Sequence, residues 1–219
     1  YATTSAYRDL QDAQIARFNV IMHEFIHTLG MIDLYDTSFA GYGCGGYDLM
    51  AYPVGQANDI TNPANVGPWT KIFMGWLTPL EITNDGRYDI EASFSSEQVY
   101  KVSSGLPDGE YFLIENKDAV GWDVNMWGGG GIVIWHVDET VDGITSTEAK
   151  VAIVQADGNE DLEAKENLGD KGDIWKSGGS NSELSDTGNP NTKSRRNGQS
   201  SGIRIYDFSE NGNVMSFSI

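Results

Sequence analysis

Hydrophobic and polar positions change their spacing near residue 80, and that change divides the chain. Before it, Ile15, Phe18, Met22, Phe25 and Leu29 recur at intervals of three and four, the period of one helix face. The spacing predicts a helix whose apolar stripe enters the core, capped at its start by Asp9 or Asp12. Asn19, His23 and His27 form a separate stripe on the same helix. Gly30 can end it, because glycine reaches the left-handed conformation freely. From residue 30 to about 68 periodicity disappears and Gly, Asn, Asp and Pro dominate, so this stretch reads as loop. Pro68 suits the first turn of a second helix and Gly75 its end, with Trp69, Ile72, Phe73 and Trp76 as the apolar face.

After Pro79 the pattern changes to period two and short apolar runs. Strands are expected over Arg87–Ala92, Val99–Ser103, Tyr111–Glu115, Ile132–Asp138, Val151–Gln155, Gly202–Phe208 and Val214–Ile219. The last two flank Asn211-Gly212, a hairpin signal. Asp170 to about Ser201 has no periodicity, and a loop that long needs a function, a bound ion or disorder to account for it. The fold class expected is α+β, with a helical unit over residues 1–80 and an antiparallel β-rich region over 81–219.

Composition narrows the partners. The chain has 219 residues, 39% of them hydrophobic, enough for a substantial core. Its formal charge is −18, from 14 basic and 32 acidic residues, which argues against nucleic acid or an anionic membrane surface. No apolar run reaches bilayer length; Ile132-Val133-Ile134-Trp135 is strand-sized. The acidic excess serves solubility or builds Ca²⁺ sites, which take six to eight oxygens. Asp157, Glu160, Asp161, Asp170 and Asp173 are the candidates, with a solvated acidic loop as the alternative. The single cysteine, Cys44, lies in Gly-Tyr-Gly-Cys-Gly-Gly. It reads as a surface-loop thiol pairing with another segment, or as a small buried hydrophobe. His136, between apolar strand neighbours, reads as a packed, hydrogen-bonded histidine. Trp122, Trp127 and Trp135 read as core before groove.

The histidine stripe carries the chemistry. Two histidines four apart on a helix can reach one Zn²⁺ at roughly 2.0–2.1 Å. In His23-Glu24-Phe25-Ile26-His27, Glu24 is placed to act on a water rather than on the metal. After Gly30 the chain can turn back and offer Asp33 as a third ligand. Asp36 is the rival, favoured less by the Gly-x-x-Asp spacing and better suited to structuring the loop.

His23 to Asp33, followed by Leu34-Tyr35-Asp36, resembles the zinc signature of the immune inhibitor A-type secreted metallopeptidases, relatives of the metzincins with aspartate as third ligand. Asp48-Leu49-Met50 resembles their Met-turn, and Trp69-Thr70-Lys71 through Gly75-Trp76 their following helix. The likeness extends through Tyr111–Asn116, Gly131–Glu139 and Gln155–Gly158. It implies a zincin catalytic subdomain over 1–80 with His23, His27 and Asp33 as zinc ligands, Glu24 as general base and Met50 as support. A phenol would aid the oxyanion, with Tyr52 the candidate and Tyr47 its rival.

The function expected is a secreted zinc endopeptidase acting on protein or peptide substrates. About twenty residues precede His23, too few for the sheet that usually comes before such a helix. Either a cleaved upstream segment of the same precursor stays associated as a partner, linked through Cys44, or that sheet is missing, and peptidase activity is expected only with the segment present. The competing expectations are a catalytically silent extracellular structural or adhesive module, and a zinc hydrolase acting on a non-peptide amide.

Overall fold

The computed structural model describes residues 7–9, 14–15, 18–52 and 63–219. Its elements run β1 (Tyr7–Asp9), β2 (Gln14–Ile15), α1 (Phe18–His27), α2 (Pro68–Phe73), β3 (Leu80–Glu81), β4 (Arg87–Glu91), β5 (Tyr100–Val102) and β6 (Glu110–Lys117). They continue with β7 (Gly131–Asp138), β8 (Val151–Ile153), β9 (Glu183–Ser185), β10 (Arg204–Tyr206) and β11 (Val214–Ser218). The class is mixed α+β, mostly sheet.

The antiparallel pair β6 and β7 is the spine, in register from Glu110↔Asp138 to Lys117↔Gly131. Every residue of both strands is buried. That is why they read as continuous apolar runs: both faces of the sheet are covered. They sit inside a five-stranded sheet of order β3-β5-β6-β7-β8, in which only β3 and β5 pair in parallel. A four-stranded antiparallel sheet, β4-β11-β10-β9, forms a second ladder, tied to the first by bonds such as Asn116 Nδ2 to the Ile90 carbonyl at 3.2 Å.

Alternation along the spine feeds two cores. Tyr111, Leu113, Val133, Trp135 and Val137 pack with Ile26, Leu34, Tyr47, Met50 and Trp69. Phe112, Ile114, Ile132 and Ile134 pack with Ile90, Leu184, Ile205, Met215 and Phe217 of the smaller sheet. The five-stranded sheet is thus a middle layer, and residues before and after position 80 share the first core.

Several expectations need correction. Helix α1 begins at Phe18, so Asp9 lies too far back to cap it, and Ile15 belongs to β2. Asp12 lies outside the described residues. The stripe expected in the core faces outward: Phe18, Phe25 and Leu29 are 54%, 54% and 47% exposed. Asn19, His23 and Ile26 are the buried face instead. In this orientation His23 Nδ1 meets the Leu49 carbonyl at 2.8 Å on the core side, and apolar surface is left exposed. In α2, Trp69 is buried, but Phe73 and Trp76 are exposed and Thr70 takes the inward position.

All seven expected strands are present, with shifted ends. Strand β9 was hidden in the aperiodic stretch. The Asn-Gly turn makes no tight hairpin: β10 and β11 pair at Tyr206↔Ser218, Gly212 is not among the left-handed glycines, and β11 pairs along its length with β4. Carboxylates of the chain itself hold much of the long loop. Asp186 accepts from Ser201 N at 3.0 Å and Gly202 N at 2.9 Å, and Glu110 from Ser194 Oγ at 2.6 Å and Arg195 N at 2.7 Å.

Cys44 is fully buried and its Sγ lies 3.4 Å from the Val151 carbonyl. The expected surface thiol, and a bridge through it to another segment, give way to the packed reading, because the Gly-rich loop folds under rather than out. His136 is buried as expected, 2.8 Å from Glu110 Oε1 and against Phe112. Trp135 is core, whereas Trp122 is exposed. Among the described residues no helix is long and apolar enough to cross a membrane.

Candidate metal centre

Helix α1 sets His23 and His27 one turn apart, and Gly30, at φ +93°, releases the chain to fold back. Asp33 then meets both histidines. His23 Nε2 lies 3.1 Å from His27 Nε2 and 3.1 Å from Asp33 Oδ1, and His27 Nε2 lies 3.0 Å from the same oxygen. The three donors form a near-equilateral triangle.

The opposite ring atoms explain this convergence. His23 Nδ1 is 2.8 Å from the Leu49 carbonyl and His27 Nδ1 is 2.8 Å from the Met31 carbonyl. A carbonyl only accepts, so each Nδ1 carries the proton and each Nε2 carries a lone pair. Two lone pairs and a carboxylate facing one another at about 3 Å repel unless a cation lies between them. Tetrahedral zinc with bonds of roughly 2.0–2.1 Å spaces its ligand atoms by about 3.3 Å. The donor set and its spacing therefore fit a transition-metal ion, with imidazole and carboxylate as suitable ligands.

Burial pulls the His23 pKa down, but the Asp33 carboxylate and the Leu49 carbonyl outweigh it, and the net shift is upward. Burial pushes Asp33 up, but the histidines and the Tyr35 phenol outweigh it, and the net shift is downward. Asp36, the rival third ligand, is spent on its own loop. Its oxygens accept from Ser38 N at 2.7 Å, Ser38 Oγ at 2.6 Å and Gly41 N at 2.7 Å.

A cavity of about 280 Å³ adjoins the triangle, lined by His23, Glu24, Tyr35, Phe39, Tyr42 and Tyr52 among others. Glu24 is half-buried on its wall. Tyr52 is on the same wall, its ring edge-on to Tyr42 at 5.5 Å. Tyr47 is turned away, its phenol donating to Asp173 Oδ2 at 2.8 Å, so it does not compete with Tyr52 for this cavity. Met50 is fully buried in the first core, two residues beyond Asp48.

Sequence reasoning missed four contributors. Tyr35 stacks on His23, with ring centroids 6.3 Å apart, and lies close enough to Asp33 for the carboxylate, after burial, to raise its pKa. Its place two residues after Asp33 was the available signal. Lys165 reaches the cavity from the β-rich region and donates to the Phe39 carbonyl at 2.8 Å. The Leu49 and Met31 carbonyls, which set the tautomers, have no sequence signal at all.

Of the acidic candidates, Asp157, Asp170 and Asp173 come together, one carboxylate oxygen from each within 4.8 Å of the others. Asp161 adjoins them through Asn167, whose Nδ2 is 3.2 Å from Asp161 Oδ2 and 3.1 Å from Asp170 Oδ2. Glu160 lies outside the triad and lines a separate polar cleft with Glu163 and Arg195. Comparison with protein-family models and with curated proteins gives no match.

Proposed function

We propose that this chain is the catalytic part of a secreted zinc metalloendopeptidase. The observation that carries the reading is the facing pair of His23 and His27 Nε2 atoms, closed by Asp33, with both Nδ1 protons already committed to carbonyls. Zinc, when bound by three such ligands, supplies Lewis acidity, polarising a carbonyl and lowering the pKa of water to about 7. The chain's own residues do the rest. Glu24 takes the proton of the attacking water and returns it to the leaving amine. Tyr52, which lines the same cavity, offers a phenol donor to the oxyanion. The cavity, walled by Tyr35, Phe39 and Tyr42, holds a substrate side chain and excludes water from it. Asp157, Asp170 and Asp173 would hold a structural Ca²⁺.

The resemblance in the zinc signature supports a protein or peptide as substrate and an extracellular location. The exposed stripe Phe18, Phe25 and Leu29 is what favours the alternative, a silent structural or adhesive module. Glu24→Gln separates the two. The enzyme reading expects the wild type to cleave an unfolded protein and to stop with a chelator. It expects the variant to keep its zinc and lose at least about 10²-fold in rate. A wild type that binds no zinc, or cleaves nothing, overturns it.

A further inference from the structure

Behind the candidate centre the turn Asp48-Leu49-Met50 is gripped by a fully buried carboxylate. Asp48 Oδ1 accepts from Met50 N at 2.7 Å. Asp48 Oδ2 accepts from Gly67 N at 2.7 Å and from Thr70 Oγ1 at 2.9 Å. The residue between the gripped positions, Leu49, supplies the carbonyl that holds His23 Nδ1. Its own N–H donates to the Asn65 carbonyl at 3.3 Å, and Asn65 N donates to Asp123 Oδ1 at 3.3 Å. That same Asp123 oxygen lies 3.0 Å from Lys117 Nζ at the end of β6, a pair almost wholly removed from water.

From this chain of contacts we propose that Asp48 is a positioning residue for the metal centre, fixing the tautomer and direction of His23 through the Leu49 carbonyl. The inference rests on the metallopeptidase reading and adds to it a route by which the β-rich region orients the first ligand. Asp48 reaches no metal donor itself. Its task needs an acceptor on both oxygens, because all three of its partners donate. An asparagine would turn one position into an N–H₂ facing other donors, so the isosteric change breaks the grip without emptying the space. Groups that orient a ligating histidine typically affect metal affinity 10- to 100-fold.

The experiment uses the full chain with Asp48→Asn, Thr70→Val and Thr70→Ser, folding being checked by circular dichroism. Nitrogen NMR of the histidine rings in metal-free protein at alkaline pH reads the tautomers, and competition with a chromophoric chelator reads zinc affinity. The wild type is expected to show one His23 tautomer, protonated at Nδ1. Asp48→Asn is expected to give a mixture at His23, with zinc affinity lowered about 10- to 100-fold. His27, held by the Met31 carbonyl outside this turn, keeps its tautomer throughout. Thr70→Val is expected to move both readouts the same way by less, and Thr70→Ser to restore them. A folded Asp48→Asn with the wild-type His23 tautomer and zinc affinity overturns the proposal. If Asp48→Asn does not fold, an unchanged Thr70→Val does the same. Should the wild type take up no zinc, the metallopeptidase reading falls, while the tautomer comparison still decides the role of Asp48.

Discussion

His23 Nε2 and His27 Nε2 face each other at 3.1 Å, each with its other ring nitrogen donating to a carbonyl. The pair has nothing to share unless a proton or a metal ion comes between. About one zinc per chain is therefore expected, and Asp33→Ala should weaken its retention at least about 10-fold.

Metal and protons compete for the same lone pairs. The His23 pKa is raised, since the Asp33 carboxylate and the Leu49 carbonyl outweigh the lowering effect of burial. A raised histidine pKa means that the protonated form persists to higher pH. Zinc affinity should thus begin to fall at a higher pH than an ordinary histidine, near 6.5, would set. Calorimetric titration across pH checks this. An affinity unchanged down to pH 5.5 contradicts it.

Asp138 and Arg196 tie the long loop to the end of β7, with Arg196 Nη2 2.6 Å from Asp138 Oδ1. Burial tends to raise the Asp138 pKa, but the Arg196 guanidinium and Thr140 outweigh it and hold the value at about 2. The folded value lies below the unfolded one, near 3.9. This stabilisation is present above the unfolded value and is lost as pH falls toward 2. Asp138→Asn should cost about 2 kcal/mol at pH 7 and much less near pH 2, as measured by urea denaturation.

Asp173 behaves in the opposite sense. Burial and the neighbouring Asp170 and Asp157 push its pKa up to about 7. Folding therefore favours its protonated form, and stability should decline as pH rises from about 4 through 7. A cation among the three carboxylates removes that penalty. Millimolar Ca²⁺ should raise the melting temperature by several degrees at pH 8 and little at pH 5, and Asp173→Asn should abolish the difference. A calcium response that is equal at the two pH values, or absent at both, counts against this site.

Gly67 has an ordinary φ of −73°, so its side-chain size alone matters. A Cβ there would meet Asp48 Oδ2 at 2.6 Å and Trp135 Cη2 at 2.8 Å. Neither can retreat: Asp48 holds three donors and Trp135 Nε1 is 3.2 Å from Glu115 Oε1. Gly67→Ala should destabilise by about 1–3 kcal/mol and loosen zinc together with it. A variant with wild-type stability would show that the turn is softer than its contacts imply.

The legible parts of the sequence were those governed by near neighbours. Histidine spacing on one helix, the glycine that ends it and the aspartate three residues later follow from helix geometry, and the structure places all three donors together. The spine β6 and β7 was legible because strands covered on both sides cannot tolerate exposed polar positions. The stripe of α1 misled, because a period of three to four says which residues share a face but not which face turns inward. That choice depends on tertiary partners such as the Leu49 carbonyl, 26 positions beyond His23, and the core around Ile26. The hairpin at Asn211-Gly212 misled in a similar way, since pairing of β11 with β4 outweighed the local turn preference.

By itself, then, the sequence determined the helix, the donor types and their spacing, and four of the five strands of the middle sheet, β3 being too short to leave a pattern. Tertiary structure decided which of two aspartates joins the histidines, which nitrogen of each ring is free, that Cys44 is sealed in the core, and which three acidic residues of five converge. The physical reason is that hydrogen bonds from groups far apart in the chain settle orientation and protonation, and backbone carbonyls leave no mark in the residue pattern.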